Sequence, residues 1–287
     1  MRTQTIPVEG SDLLVTVRIA EPERGFCLVV HGFGEHSGRY ARMVDFLVGL
    51  GVSTATYDLR GHGRSPGRVG RATVARHVLD NLLVRDTLRT YMAERAGGVP
   101  EQPRFLLGHS MGGLIAAESA VRRPWDSDGL VLSSPALVVG AHTPAPVRAV
   151  APLVAATLPF LPVSTLDPED ISRDPEYVAD YARDPQVHHG PVPAAEGATM
   201  LADGARMTER CRSLSMPVLL LAGDADHITD VSGARRLAAN AGVLHDPRPE
   251  VTYHEFPGGQ HELFNDLCRD EAYAALGEWL ERRLPSA

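Results

Sequence analysis

The sequence predicts an α/β architecture in which a mostly parallel sheet is covered by helices on both faces. Two observations carry this. Short apolar runs alternate along the chain with segments of helical spacing, the order that builds strand–helix–strand units. Several of those runs are apolar at every position rather than at alternate ones, as strands buried on both faces are. A length of 287 residues fits one substantial domain, or a core carrying an insertion.

The first 25 residues read as a strand pair, with alternation in Leu13 to Ile19 followed by the turn-like EPERG. FCLVV (Phe26 to Val30) is a buried strand that stops abruptly at His31-Gly32. Residues 39 to 50 have helical spacing, with Tyr40, Met43, Val44 and Leu47 on one face. Val52 to Asp58 is the next strand, closed by the loop LRGHGRSPG, and residues 74 to 96 form a long amphipathic helix. Arg104 to Ser110 is strand then turn, MGGLIAAESAVR is helix, and Gly129 to Pro135 is strand. Pro217 to Asp224 is a further strand, followed by a helix through about Asn240. Val251 to Phe256 is the last strand, and Glu271 to Arg283 closes the chain as a helix.

The stretch from Ala136 to Cys211 breaks this rhythm. It starts apolar and proline-punctuated, then turns polar through ISRDPEYVADYARDP. Between two core strands it reads as an inserted cap, so the expected domains are a core of residues 1–135 and 212–287 and a cap of 136–211. Its prolines oppose a single long membrane helix, while its apolar face suits an acyl chain.

Composition narrows the function classes. The 44% hydrophobic content supports a large core, and the net charge is -8 with every basic residue an arginine. No basic patch stands out, which argues against nucleic acid as a partner. Cys27, Cys211 and Cys268 are scattered and odd in number, so neither a disulfide framework nor a zinc pattern is expected. His31, His36, His188 and His189 lack the carboxylate spacing of a metal site, and GHGRSPG lacks the ending of a phosphate-binding loop. The expectation is a cofactor-free protein. The start lacks an apolar stretch after its basic residue, and no run of about 20 apolar residues occurs, so a soluble cytoplasmic chain is expected.

Gly108-His109-Ser110-Met111-Gly112 is a G-x-S-x-G pentapeptide set between an apolar strand and a helix. That setting forces a serine onto a sharp turn above the sheet, and it makes Ser110 the candidate nucleophile. A serine hydroxyl needs a base. Of the 12 histidines, His261 is best placed, in a loop just past the last strand, whereas His254 lies within that strand. The base needs a carboxylate, and Asp224, Asp226 and Asp230 all follow a strand end. Position alone modestly favours Asp226 and leaves the other two open. An oxyanion would be received by the backbone N–H of Met111, next to the nucleophile, and by that of Phe33 in the glycine-bearing loop HGFGEHSG. All three triad members are present, which weighs against a non-catalytic binding protein on this fold.

Taken together, HGFGEHSGRY, YDLRGHGRS, GHSMGG, ISRDPE, DPQVHHG, GDADHITD and PGGQHELFND resemble the monoacylglycerol lipase and lysophospholipase branch of the α/β-hydrolases. The resemblance runs over nearly the whole chain. It implies an eight-stranded core with a cap between the sixth strand and the acid-bearing strand. It places the nucleophile on Ser110, the acid on Asp226, the base on His261 and the oxyanion donors on Phe33 and Met111. It also puts Arg39 and His109 near the glycerol end of the substrate. The implied activity is hydrolysis of a monoacylglycerol through an acyl-enzyme, with a lysophospholipase or a carboxylesterase for shorter esters as alternatives. The implied partner is a small lipid or ester. An apolar cap can also meet a lipid surface or a second subunit, and the sequence does not separate the two.

Overall fold

The computed structural model describes residues 2–96, 102–140 and 145–286. Its strands and helices run in chain order as β1 (Arg2–Pro7), β2 (Leu14–Ile19), β3 (Gly25–Val30), α1 (Ala41–Gly49), β4 (Val52–Tyr57), α2 (Val74–Ala96), β5 (Arg104–His109), α3 (Met111–Arg122) and β6 (Gly129–Ser133). There follow α4 (Ala145–Thr157), β7 (Pro162–Ser164), α5 (Pro175–Arg183), β8 (Val192–Pro193), α6 (Ala194–Arg210), β9 (Val218–Gly223), α7 (Val231–Asn240), β10 (Val251–Phe256) and α8 (Arg269–Glu281). Eight of the strands form one sheet in the order β1-β2-β4-β3-β5-β6-β9-β10. Only the pairings of β2 with β1 and β4 are antiparallel. The rest are parallel.

The continuous apolar runs have a simple cause. Every residue of β3, β4, β6 and β9 is buried, and alternate side chains feed two different cores. Phe26, Leu28 and Val30 face one core, where Val78 of α2, Leu114 of α3 and Leu237 of α7 pack against them. Cys27 and Val29 face the other, which Leu47 of α1 and Leu276 and Trp279 of α8 complete. Strands β3 and β9 are therefore apolar at both parities, whereas β4 also buries Ser53, Thr54 and Thr56.

Element ends differ from the sequence expectation where geometry intervenes. The helix expected from residue 39 starts with a 3-10 turn over Ser37–Tyr40 before α1 begins at Ala41. The strand expected to reach Pro135 ends at Ser133, because Ser134 takes a positive φ of 42°.

Between β6 and β9 the sheet is interrupted by α4, the β7–β8 pair, α5 and α6. Pro152 lies inside α4 and removes one of its backbone donors. Helix α6 spans two environments. Its first half lines the cavity described below, with Met200 and Leu201, and its last turns enter the main core with Met207, fully buried. A Cβ at Gly204 would stand 2.6 Å from the carbonyl oxygens of Ala136 and Leu137, so this helix lies directly on the chain leaving β6.

Candidate active site

β5 delivers Ser110 to the carboxyl edge of the sheet. Its backbone sits at φ 53° and ψ −122°, a conformation costly for any residue with a Cβ. Two glycines make the turn feasible. A Cβ at Gly108 would come within 2.3 Å of the Gly112 carbonyl oxygen, and one at Gly112 would come within 2.2 Å of the Val30 oxygen. Strand, turn and helix are thus packed backbone to backbone. Gly112→Ala is expected to destabilise the fold by about 3 kcal/mol, at the upper end for overpacking, since carbonyls cannot rotate aside. A lowered denaturation midpoint would show it, and an unchanged midpoint would contradict it.

Met111 opens α3, so its N–H has no partner within the helix. Among the described residues neither this N–H nor that of Phe33 has an acceptor. Phe33 follows Gly32, where a Cβ would lie 3.1 Å from the Ser110 Cβ. The two amides expected from sequence therefore lie on the two backbone segments that meet at Ser110. The loop carrying Phe33 is braced from below. His31 accepts from the Leu59 N–H at 2.8 Å through Nε2, which leaves Nδ1–H to donate to the Gly32 carbonyl at 2.8 Å. Burial pushes His31 down to about 4, so this ring is a neutral strut. Asp58 accepts from the N–H and hydroxyl of Ser37 at 2.8 and 2.6 Å and from Arg64 N–H at 2.9 Å. The GHGRSPG loop is tied to the end of β4 by this Arg64 contact and by the Ser65 hydroxyl, which donates to the Asp58 carbonyl at 2.6 Å.

The three aspartates after β9 have separate tasks. Asp224 accepts from the Gly258 N–H at 2.6 Å and ties two loops together. Asp230 caps α7 through the Ser232 N–H at 2.8 Å. Asp226 accepts from His261 Nδ1 at 2.7 Å with Oδ2, which also takes the Thr229 hydroxyl at 2.7 Å. Its Oδ1 takes the backbone N–H groups of Ile228 and Thr229 at 2.8 and 2.9 Å. Burial opposes charge on Asp226, but His261 and these donors outweigh it and hold the carboxyl below its usual range. Burial likewise opposes charge on His261, and the Asp226 carboxylate beside it wins, so the imidazole sits above its usual value. His254 is exposed on β10.

Ser110, His261, Phe33, Arg39 and His109 all line one cavity of about 490 Å³, within the size range of small-molecule sites. Its far walls are apolar and come largely from the segment between β6 and β9, including Val154, Leu161, Leu166, Met200 and Leu201. His109 is buried, its Nδ1 3.4 Å from the Ser133 hydroxyl and its ring 4.7 Å from that of His261. Burial and the adjoining His261 push it down to about 4, so it is neutral. Arg39 is not free to wait for a ligand: both terminal nitrogens are engaged, by Glu35, Glu262 and Tyr177. Sequence reading did not single out Glu35, Glu262 or Tyr177. Glu35 and Glu262 sit inside the quoted motifs, and nothing in a one-dimensional spacing shows that they converge on one guanidinium.

The family model for serine aminopeptidase S33 matches residues 21–268. The chain belongs to this family. A monoacylglycerol lipase of Mycolicibacterium smegmatis is 37% identical over 263 residues, covering 91% of this chain and 89% of that one. The human monoglyceride lipase is 31% identical, with 92% and 84% covered. The crystal structure of a monoacylglycerol lipase from Paleococcus ferrophilus superposes with a TM-score of 0.79 at 34% identity, covering 95% of this chain and all of the other. This S33-family chain is therefore a lipase-like serine hydrolase of the α/β-hydrolase fold, related to the monoacylglycerol lipases.

Proposed function

We propose that the protein is a monoacylglycerol lipase working through Ser110, His261 and Asp226. The observation that carries this is His261, hydrogen-bonded to Asp226, lining the same apolar-walled cavity as the strained Ser110 turn. With Nδ1–H given to Asp226, the Nε2 of His261 is left to accept the Ser110 proton as the hydroxyl attacks an ester carbonyl. The amides of Phe33 and Met111 receive the oxyanion. His261 then protonates the leaving glycerol, and a water activated by the same imidazole hydrolyses the acyl-enzyme. Arg39 and His109 line the polar end of the cavity, the side suited to glycerol, while the walls beyond take the acyl chain.

Residues 136–211 act in this reading as the cap over the acyl site. Leu153, Leu158 and Phe160 are exposed on it, and Val150, Leu161 and Val163 are both exposed and cavity-lining. The mouth thus has an apolar rim suited to a lipid surface. No helix among the described residues is long and apolar enough to cross a membrane, so contact of this kind would be peripheral.

A panel of glycerol monoesters graded by acyl length tests the reading. Each methylene that reaches the apolar wall is worth about 0.8 kcal/mol, roughly fourfold in kcat/KM, until the cavity is filled. Long-chain monoacylglycerols are therefore expected to exceed short esters, more so once the substrate aggregates. Good cleavage of short esters with none of monoacylglycerols would reassign the protein as a short-chain carboxylesterase.

A further inference from the structure

Arg39 stands where three parts of the molecule meet. Glu262, next in sequence to His261, holds it with both carboxylate oxygens, at 2.8 and 3.0 Å. Glu35 holds it from the loop after β3 at 2.7 Å, and the other oxygen of Glu35 accepts the Gly32 N–H at 2.6 Å, one residue before Phe33. From α5, the Tyr177 hydroxyl accepts from Arg39 and donates to Glu262 at 2.8 Å, and the Tyr181 ring lies 4.6 Å beneath the guanidinium. All three charged side chains are at most 7% exposed. Two buried carboxylates share one guanidinium, so the cluster carries net negative charge beside the imidazole. We propose that Glu262 is a positioning residue, clamping the His261 loop through Arg39 to the loop bearing the Phe33 amide and setting the charge that the base faces. This rests on the reading of His261 as the base.

Two effects follow, and they separate. The first is geometric: with Glu262 gone, the base loop and the oxyanion loop lose their common anchor. The second is electrostatic. His261 is faced by Asp226 from the loop after β9, by Glu35 from the loop after β3, by neutral His109 at the end of β5, and by Glu262. Burial disfavours its charged form, whereas Asp226, Glu262 and Glu35 favour it. Catalysis needs the neutral imidazole, so activity is lost as pH falls through its pKa. Removing one of those negative charges lowers that pKa and carries the acid limb of the profile to lower pH. A purely structural glutamate would leave the limb in place.

The experiment compares kcat/KM against pH for wild type, Glu262→Gln and Glu262→Asp on a soluble ester. Glu262→Gln is expected to move the acid limb to lower pH and to reduce kcat about tenfold, with KM nearly unchanged, as misplacement of a reacting group does. Glu262→Asp keeps the charge but is too short to span the clamp, so kcat falls while the limb stays with wild type. A folded Glu262→Gln protein whose profile superimposes on wild type overturns the inference. Should that variant not fold, full kcat in Glu262→Asp overturns it instead. His261→Ala is measured alongside. Turnover surviving there overturns the base reading and this inference with it, whereas an inactive His261→Ala beside an unmoved Glu262→Gln profile overturns the inference alone.

Discussion

Ser110→Ala is expected to lose turnover by about a million-fold and to lose labelling by a fluorophosphonate altogether. The magnitude follows from what removal of the nucleophile costs in a cooperating triad, where the residual rate comes from binding and oxyanion stabilisation alone. The fold should survive, because Ala keeps the Cβ that the turn already accommodates and Ser110 is anchored by its backbone. Its N–H donates to the Ser133 carbonyl at 3.0 Å, and its carbonyl accepts from Leu114 and Ala136. Ser110→Gly refines the test. Glycine is at ease at φ 53°, and the strain released, about 1–3 kcal/mol, exceeds the entropy lost to a more flexible unfolded chain. Ser110→Gly should therefore be as inactive as Ser110→Ala and yet unfold at a higher denaturant concentration. Retained turnover in either variant would move the nucleophile elsewhere. Equal stability of the two would mean that the turn stores no strain at Ser110.

How much of this was legible in the sequence depends on the range of the interaction. Strands β3, β6 and β9 could be read because burial on two faces demands apolar residues at every position, a local and unambiguous signal. The Ser110 turn could be read because Gly108 is forced by a contact only four residues away, with Gly112, and because the pentapeptide lies between an apolar strand and a helix. The choice among Asp224, Asp226 and Asp230 was only partly legible. All three sit in one turn, and what distinguishes them is their partners, Gly258, His261 and Ser232. Arg39 was legible as a residue near the site but not in its present condition. Its partners Glu35, Glu262 and Tyr177 lie 4, 223 and 138 positions away, so only the folded chain reveals that its charge is already matched. The segment between β6 and β9 was legible as an interruption of the strand–helix rhythm. The double allegiance of α6, cavity wall at Met200 and core at Met207, was not, since both ends show apolar residues at helical spacing.

Asp226→Asn is expected to reduce kcat by about ten-thousand-fold with little change in KM or stability. The direction comes from which oxygen does what. Oδ1 of Asp226 accepts two backbone N–H groups, from Ile228 and Thr229, and these donors cannot turn away. An asparagine must place its carbonyl oxygen there, which leaves its NH2 facing His261 Nδ1. That nitrogen then has to be the acceptor, so the imidazole proton moves to Nε2 and points at Ser110. A ring in this tautomer cannot take the hydroxyl proton, although every atom stands nearly where it stood. The carboxylate that held the His261 pKa up against burial is also lost, so that pKa falls. The variant thus fails as a base through its tautomer while being less readily protonated than before. Lowering the pH cannot restore it. Nitrogen-resolved NMR of the His261 ring should show the proton on Nδ1 in wild type and on Nε2 in the variant, with Asp224→Asn as a control that keeps both the tautomer and most of the activity. Loss of activity in Asp224→Asn with Asp226→Asn near wild type would assign the acid to Asp224 and leave the 2.7 Å contact of Asp226 with His261 without a catalytic role.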